Sequence, residues 1–214
     1  GVSFYLKDLP NGMENASGTV YFEKRRANIE ELTGQTGGGT FGISGFVGYS
    51  RDEVSYRLQA TASNIRVRYP EGVSTTLDAG LSLTGSSARS LLAGNITVQR
   101  AGIVAGGDVA SMVGGSGNPI PAAASQHEFL RNLQFDIRVR TSPNATFQSS
   151  YTQDLQTEAD LRLRGSPAKP ILLGSIKSNQ GGVQFFGNRY TISRGEVLFF
   201  DTALVQPQID LDLE

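Results

Sequence analysis

Apolar and polar residues alternate one for one along most of this chain. In Leu77-Asp78-Ala79-Gly80-Leu81-Ser82-Leu83-Thr84 the apolar side chains fall on one side of an extended strand and the polar positions on the other. The same pattern recurs in Ile65-Arg66-Val67-Arg68, in Asp136-Ile137-Arg138-Val139-Arg140 and in Leu161-Arg162-Leu163-Arg164, where the polar side is largely cationic. A period of two marks a half-buried β-strand, one face to water and one away from it. The pattern predicts strands over 54–62, 65–69, 73–83, 91–98, 133–141, 155–163, 171–178, 183–186, 189–193, 196–200 and 208–213, with 19–23 and 41–49 added near the start. Between them lie turn signals such as Tyr69-Pro70-Glu71-Gly72, Gly187-Asn188 and Arg194-Gly195. Only 27–32 offers a weak helical candidate.

The pattern also repeats at long range. Leu81, Leu83, Gly85, Ser86, Ala88, Leu92, Gly94, Ile96 and Gly102 return 80 residues later as Leu161, Leu163, Gly165, Ser166, Ala168, Leu172, Gly174, Ile176 and Gly182. Each copy reads as strand, turn, strand, so the repeating unit is an antiparallel meander. Repeats of this kind bury apolar surface against their neighbours. The expected organisation is a single β segment with repeat units at about 34–102 and 130–214. A flexible Gly/Ala-rich insertion, 101–126, separates them and is expected to be dispensable for folding. The chain starts and stops inside strand-like text, with Ile209, Leu211 and Leu213 alternating up to Glu214, which reads as a segment of something longer.

What covers the apolar face decides the function. A sandwich closes after seven to nine strands and has no reason to repeat. The supply of inward residues instead predicts an all-β fold: an elongated, curved antiparallel sheet folded over itself, like a taco or half-pipe, around a hydrophobic lengthwise groove. Its expected lining is Leu58, Val67, Leu81, Leu83, Ile96, Phe135, Ile137, Leu161, Leu163, Ile176, Phe185, Ile192 and Phe199. Such a groove suits acyl chains.

Composition removes other classes of function. With 19 basic and 20 acidic side chains there is no global field to attract nucleic acid, and the arginines face away from the rings that would have to stack on bases. There is no Cys, so thiolate metal sites and disulfides are excluded. The single His127 sits in Ser125-Gln126-His127-Glu128 without a second ligand at metal-binding spacing. Asp78, Asp136 and Asp160 occur singly on outer strand faces and read as solvated charge. Gly37-Gly38-Gly39 and Gly114-Gly115-Ser116-Gly117 lack the Lys-Ser/Thr of a phosphate loop. The sequons at Asn15, Asn95 and Asn144 read as chance. No catalytic residue, cofactor or metal is called for, and the chain reads as non-enzymatic.

The C-terminal third carries a more specific signal. Leu161-Arg162-Leu163-Arg164-Gly165-Ser166-Pro167 leads through Lys169-Pro170-Ile171-Leu172-Leu173-Gly174 to Gly181-Gly182-Val183-Gln184-Phe185-Phe186, then Arg194-Gly195-Glu196 and Gln206-Pro207-Gln208-Ile209-Asp210-Leu211-Asp212-Leu213. This order resembles the conserved C-terminal domain of the TamB family, the translocation and assembly module subunit of bacterial envelopes, related to AsmA-like and bridge-type lipid transfer proteins. The resemblance is good over 133–214 and plausible over 34–102. It implies a periplasmic location, as part of a protein anchored in the inner membrane outside this segment, and an apolar trough to which Phe185, Tyr190, Ile192, Val197 and Phe199 correspond. Phospholipid acyl chains moving between inner and outer membranes are the implied cargo, and an outer-membrane barrel of the TamA or BamA type the implied partner. An alternative role is outer-membrane protein assembly by strand pairing, with nascent outer-membrane proteins as clients.

Overall fold

The computed structural model describes residues 2–4, 12–51, 53–68, 72–103, 128–149, 152–185, 188–200 and 207–213. The strands are β1 (Val2–Phe4), β2 (Met13–Glu23), β3 (Arg26–Thr36), β4 (Gly39–Tyr49), β5 (Val54–Val67), β6 (Val73–Ser86), β7 (Ser90–Ile103), β8 (Leu133–Ser149), β9 (Thr152–Ser166), β10 (Lys169–Phe185), β11 (Asn188–Phe199) and β12 (Gln208–Leu213). A short helix, α1 (Glu128–Arg131), precedes β8. All twelve strands form one sheet, laid side by side in chain order. The stretch 27–32 falls inside β3, not in a helix. Its neighbours decide this: Ala27 and Ile29 pair with Val20 and Phe22 on one side and with Gly45 and Val47 on the other, an arrangement that needs period two.

Strands are longer than the alternation suggests, because three apparent breaks are bulges. Asn64, at φ 54°, interrupts β5 without ending it, and Asn tolerates that left-handed conformation better than most residues. The Asn64 N–H donates to Asp78 Oδ1 at 2.7 Å, and Gln99 Nε2 donates to Oδ2 at 2.6 Å. Asp78 is thus the partner of a bulge, not a free solvated charge. In β10 the register shifts between Ser178 and Gly182, and Arg194-Gly195, read as a turn in the sequence, lies within β11 beside a shift of the same kind.

The repeat corresponds to two hairpins of matching register. Leu83 faces Leu92 and Leu81 faces Gly94 across β6–β7, as Leu163 faces Leu172 and Leu161 faces Gly174 across β9–β10. Gly94 and Gly174 adopt φ of 146° and 121°. A Cβ there would run into the carbonyl oxygen of Gly80 or of Asp160 on the adjacent strand. Glycine is required in both copies by close backbone approach as well as by φ.

One pair breaks the antiparallel expectation: β7 and β8 run parallel, from Ser90 beside Leu133 to Ile103 beside Ser149. A parallel pair needs a crossover, because the chain must return to the end of the sheet where the first strand began. Residues 104–132 make that return. Ala101–Ile103, assigned to the insertion by sequence, belong to β7, and 104–126 lie outside the described residues. The arrival end is fixed. Ser90 N–H and Oγ–H both donate to the Asn132 carbonyl oxygen, at 3.1 and 3.4 Å, while Asn132 Nδ2 donates to the Ser87 carbonyl at 3.0 Å. The Phe129 ring meets Tyr56 edge-on with centroids 5.9 Å apart, and the Tyr56 hydroxyl donates to the Ser86 carbonyl at 2.7 Å.

Candidate functional site

Directly paired residues share a sheet face, so register shows which side chains meet. Leu58, Leu83, Leu92 and Phe135 form one row across β5 to β8. Ile43, Ala60, Leu81, Gly94, Ile137, Leu163 and Leu172 form the next. A third runs Phe41, Ala62, Ala79, Ile96, Val139, Leu161, Gly174, Phe199. Ile176 stands opposite Val197, Tyr190 opposite Val183, and Val67 shares the face through Ile65, which pairs with Leu77. Up to the β11 bulge these expected lining residues lie on one face; across it the parity changes, and Ile192, with Tyr190 two residues before it, returns to that face, the Ile192 Cγ2 lying 3.6 Å from where a Cβ on Gly195 would sit. The backbone of Phe185 pairs with Asn188 at the end of β10, and its side chain lies outside the described residues.

Among the described residues no second sheet lies over this face, and no large side chain is fully buried. Ile137 and Ile192 are buried at 5 % and 4 % exposure, while the other described lining residues are half-buried by their neighbours on the same face. Apolar side chains continue to both margins. Phe22, on the same face as Val47 through Ala27, is 77 % exposed, and Ile209 and Leu211 of β12 are 45 % and 50 % exposed.

The face is not uniform. Between the pairs Val98–Thr141 and Arg100–Thr146, β7 advances by two residues and β8 by five. The surplus, Ser142-Pro143-Asn144, forms a bulge, where a proline without an N–H is tolerated. Beside it lies a cavity of about 370 Å³ lined by Val98, Ala101, Val139, Thr141, Ala145, Thr146, Phe147, Leu155, Thr157, Ala159, Leu161, Ile176 and Val197. Of the expected lining, Leu161, Ile176 and Val197 reach it. Ala145, Phe147 and Leu155 were missed as site residues: Ser142-Pro143-Asn144 reads as the end of a strand, and alanine carries no apolar bulk to notice.

The opposite face is polar and tied across strands. Arg138 grips Asp160 with Nε–Oδ1 at 2.9 Å and a second guanidinium nitrogen on Oδ2 at 2.6 Å. Arg162 grips Asp136 in the same way at 2.8 and 3.0 Å. Arg140 and Arg164 stand directly opposite Asp160 and Asp136, each 3.7 Å away. Neither carboxylate is therefore a lone charge. The hydrogen bond from its arginine holds each carboxyl below its usual range, with the Coulombic pull of the same guanidinium adding to it against desolvation.

Among the described residues no group of His, Asp and Glu is placed to hold a metal ion. His127 lies outside them. What the described residues present on this face is an apolar surface, suited to apolar contact.

Over residues 30–214 the chain matches the family described as the TamB C-terminal domain. No curated protein and no solved structure matches it.

Proposed function

The chain belongs to the TamB C-terminal domain family, which is not known as enzymatic, and from that premise we propose that its apolar face shelters phospholipid acyl chains in the periplasm, on their way between the inner and outer membranes. The observation that carries this role is the absence of a covering layer: apolar rows cross the sheet strand after strand, and no second sheet among the described residues lies over them. Contiguous exposed apolar area of this extent marks a binding surface. An acyl chain laid along it exchanges water for apolar wall at about 0.8 kcal/mol per buried methylene. The paired charges of the other face keep that side in water.

A photo-crosslinking amino acid at Leu81 or Leu163 should capture phospholipid in cells, and one at Arg66 on the outer face should not. Capture of polypeptide and no lipid at the inner positions would overturn the role. One observation favours a second reading, assembly of outer-membrane proteins by strand pairing with a TamA- or BamA-type barrel as partner. The strand β12 is last in the sheet order and, among the described residues, pairs only with β11, and such an edge can add a further strand. Crosslinkers at Gln208 and Asp210 would capture polypeptide under that reading.

A further inference from the structure

The cavity beside the β8 bulge differs in kind from the rest of the apolar face. Small residues occur elsewhere on the face, as at Ala60, Ala62 and Ala79, but here two of them, Ala145 and Ala159, line the cavity together and are buried at 2 % and 8 % exposure. The shortfall in side-chain volume sits where the bulge forces β8 away from regular pairing, and the result is a dent in the sheet. No ionisable side chain lines it. The Thr141 hydroxyl is already engaged, accepting the Ala159 N–H at 2.9 Å. Among the described residues no buried side-chain polar atom lacks a partner. The exposed wall of the dent is almost entirely carbon, so a headgroup, sugar or peptide seated there would lose its hydrogen bonds to water with little to replace them. At about 370 Å³ the dent has the size of a small-molecule pocket without the convergent polar groups that orient a polar ligand.

Building on the acyl-chain role above, we propose that this dent is a discrete seat for the end of one aliphatic chain, a resting position walled by carbon at the β8 bulge. Cargo then moves along the sheet in steps, with a stop at the junction of β7 and β8.

The test uses hexadecanoic acid carrying a diazirine on its terminal carbon, photolysed with the purified 214-residue chain, the labelled residues being located by peptide mass spectrometry. Labelling is expected to concentrate on residues that line the dent, such as Val139, Phe147 and Leu155. Ala159→Leu fills the floor and should cut that labelling at least tenfold while leaving thermal unfolding unchanged or raised. Ala79→Leu, on the same face but away from the dent, should leave it within twofold. Should Ala159→Leu fail to fold, Ala145→Val makes the same test with a smaller change. Label spread evenly along the face, or unmoved by filling the dent, would overturn the seat while leaving the acyl-chain role intact. Absence of label anywhere on the native chain would overturn both.

Discussion

The crossover between β7 and β8 has a minimum length, and shortening the chain below it should open the seam. From Ser90 to Ile103 the strand covers thirteen residue steps, about 43 Å at ~3.3 Å each. Residues 104–127 must bridge that distance before α1 begins. Replacing Ala105 to Ala124 with four Gly-Ser residues leaves eight, which reach about 30 Å when fully extended. A sixteen-residue bridge, made with a twelve-residue link, reaches more than 50 Å by the same measure. The short link can be accommodated only by releasing α1 and the start of β8. That exposes Leu133, now 5 % exposed, at a cost of about 2 kcal/mol, and separates Phe129 from Tyr56 at a further ~1 kcal/mol. For a chain of this size ~3 kcal/mol lowers the melting temperature by about 6 to 12 °C. The long link changes only closure entropy, by about 0.4 kcal/mol, and should melt within ~2 °C of the native chain. Circular dichroism melts of the three proteins make the comparison. If the four-residue link melted with the native chain, the parallel pairing of β7 with β8 would be wrong. By this reasoning the segment expected from its composition to be dispensable should prove so in sequence but not in length.

Other expected outcomes follow from single positions. Leu163→Asp places an unpaired carboxylate between Ile137 and Leu172, and should abolish lipid crosslinking and weaken the envelope; Arg164→Asp, on the charged face, should leave lipid crosslinking near native, and equal effects would contradict the apolar-face assignment. Gly94→Ala and Gly174→Ala should each lower stability by about 2 kcal/mol or more in chemical denaturation, since a Cβ meets a neighbouring carbonyl at a φ that L-residues avoid, whereas Gly80→Ala, with open space around it, should cost far less. Because Asp136 and Asp160 have lowered pKa values when folded, the stability they lend is fully present above the unfolded value near 3.9 and is lost as pH falls through the folded values. The double variant Asp136→Asn, Asp160→Asn should therefore flatten the acid limb of a stability–pH curve, and high salt should shrink the difference.

Period two made much of this fold legible, because alternation fixes which face a residue takes. Ile137 and Leu163 fall on the same face as Leu81 in the structure as in the sequence. Alternation says nothing about the direction of the neighbouring strand, however, and Ile137 would point to the same side in either orientation. The parallel pair was hidden for that reason. Breaks in the pattern misled in a consistent way: Asn64, Gly181-Gly182 and Arg194-Gly195 resemble strand ends, yet pairing with β6 carries β5 past Asn64, and pairing on both sides carries β10 and β11 through the other two. The arginine–aspartate forks were invisible because each is diagonal. Arg138 reaches Asp160 while standing opposite Arg162, and only the register brings them together. The dent was invisible because it consists of missing volume at Ala145 and Ala159, and sequence reading searches for bulk.

Strand order equal to chain order has a kinetic consequence. Every antiparallel pair joins strands that are close in sequence, so β1 to β7 and β8 to β12 can each zip up by local hairpin growth, with little entropy lost in searching. Growth can start anywhere within a half and can follow the chain as it emerges. The pairing of β7 with β8 is different, since it closes a loop of 104–132 before any contact rewards it. Refolding should then show a fast phase common to both halves and a slow phase in which Ser90 finds Asn132 and Leu133. Until that slow step is complete, each half carries a bare central edge, open to another molecule's strands as readily as to its own second half.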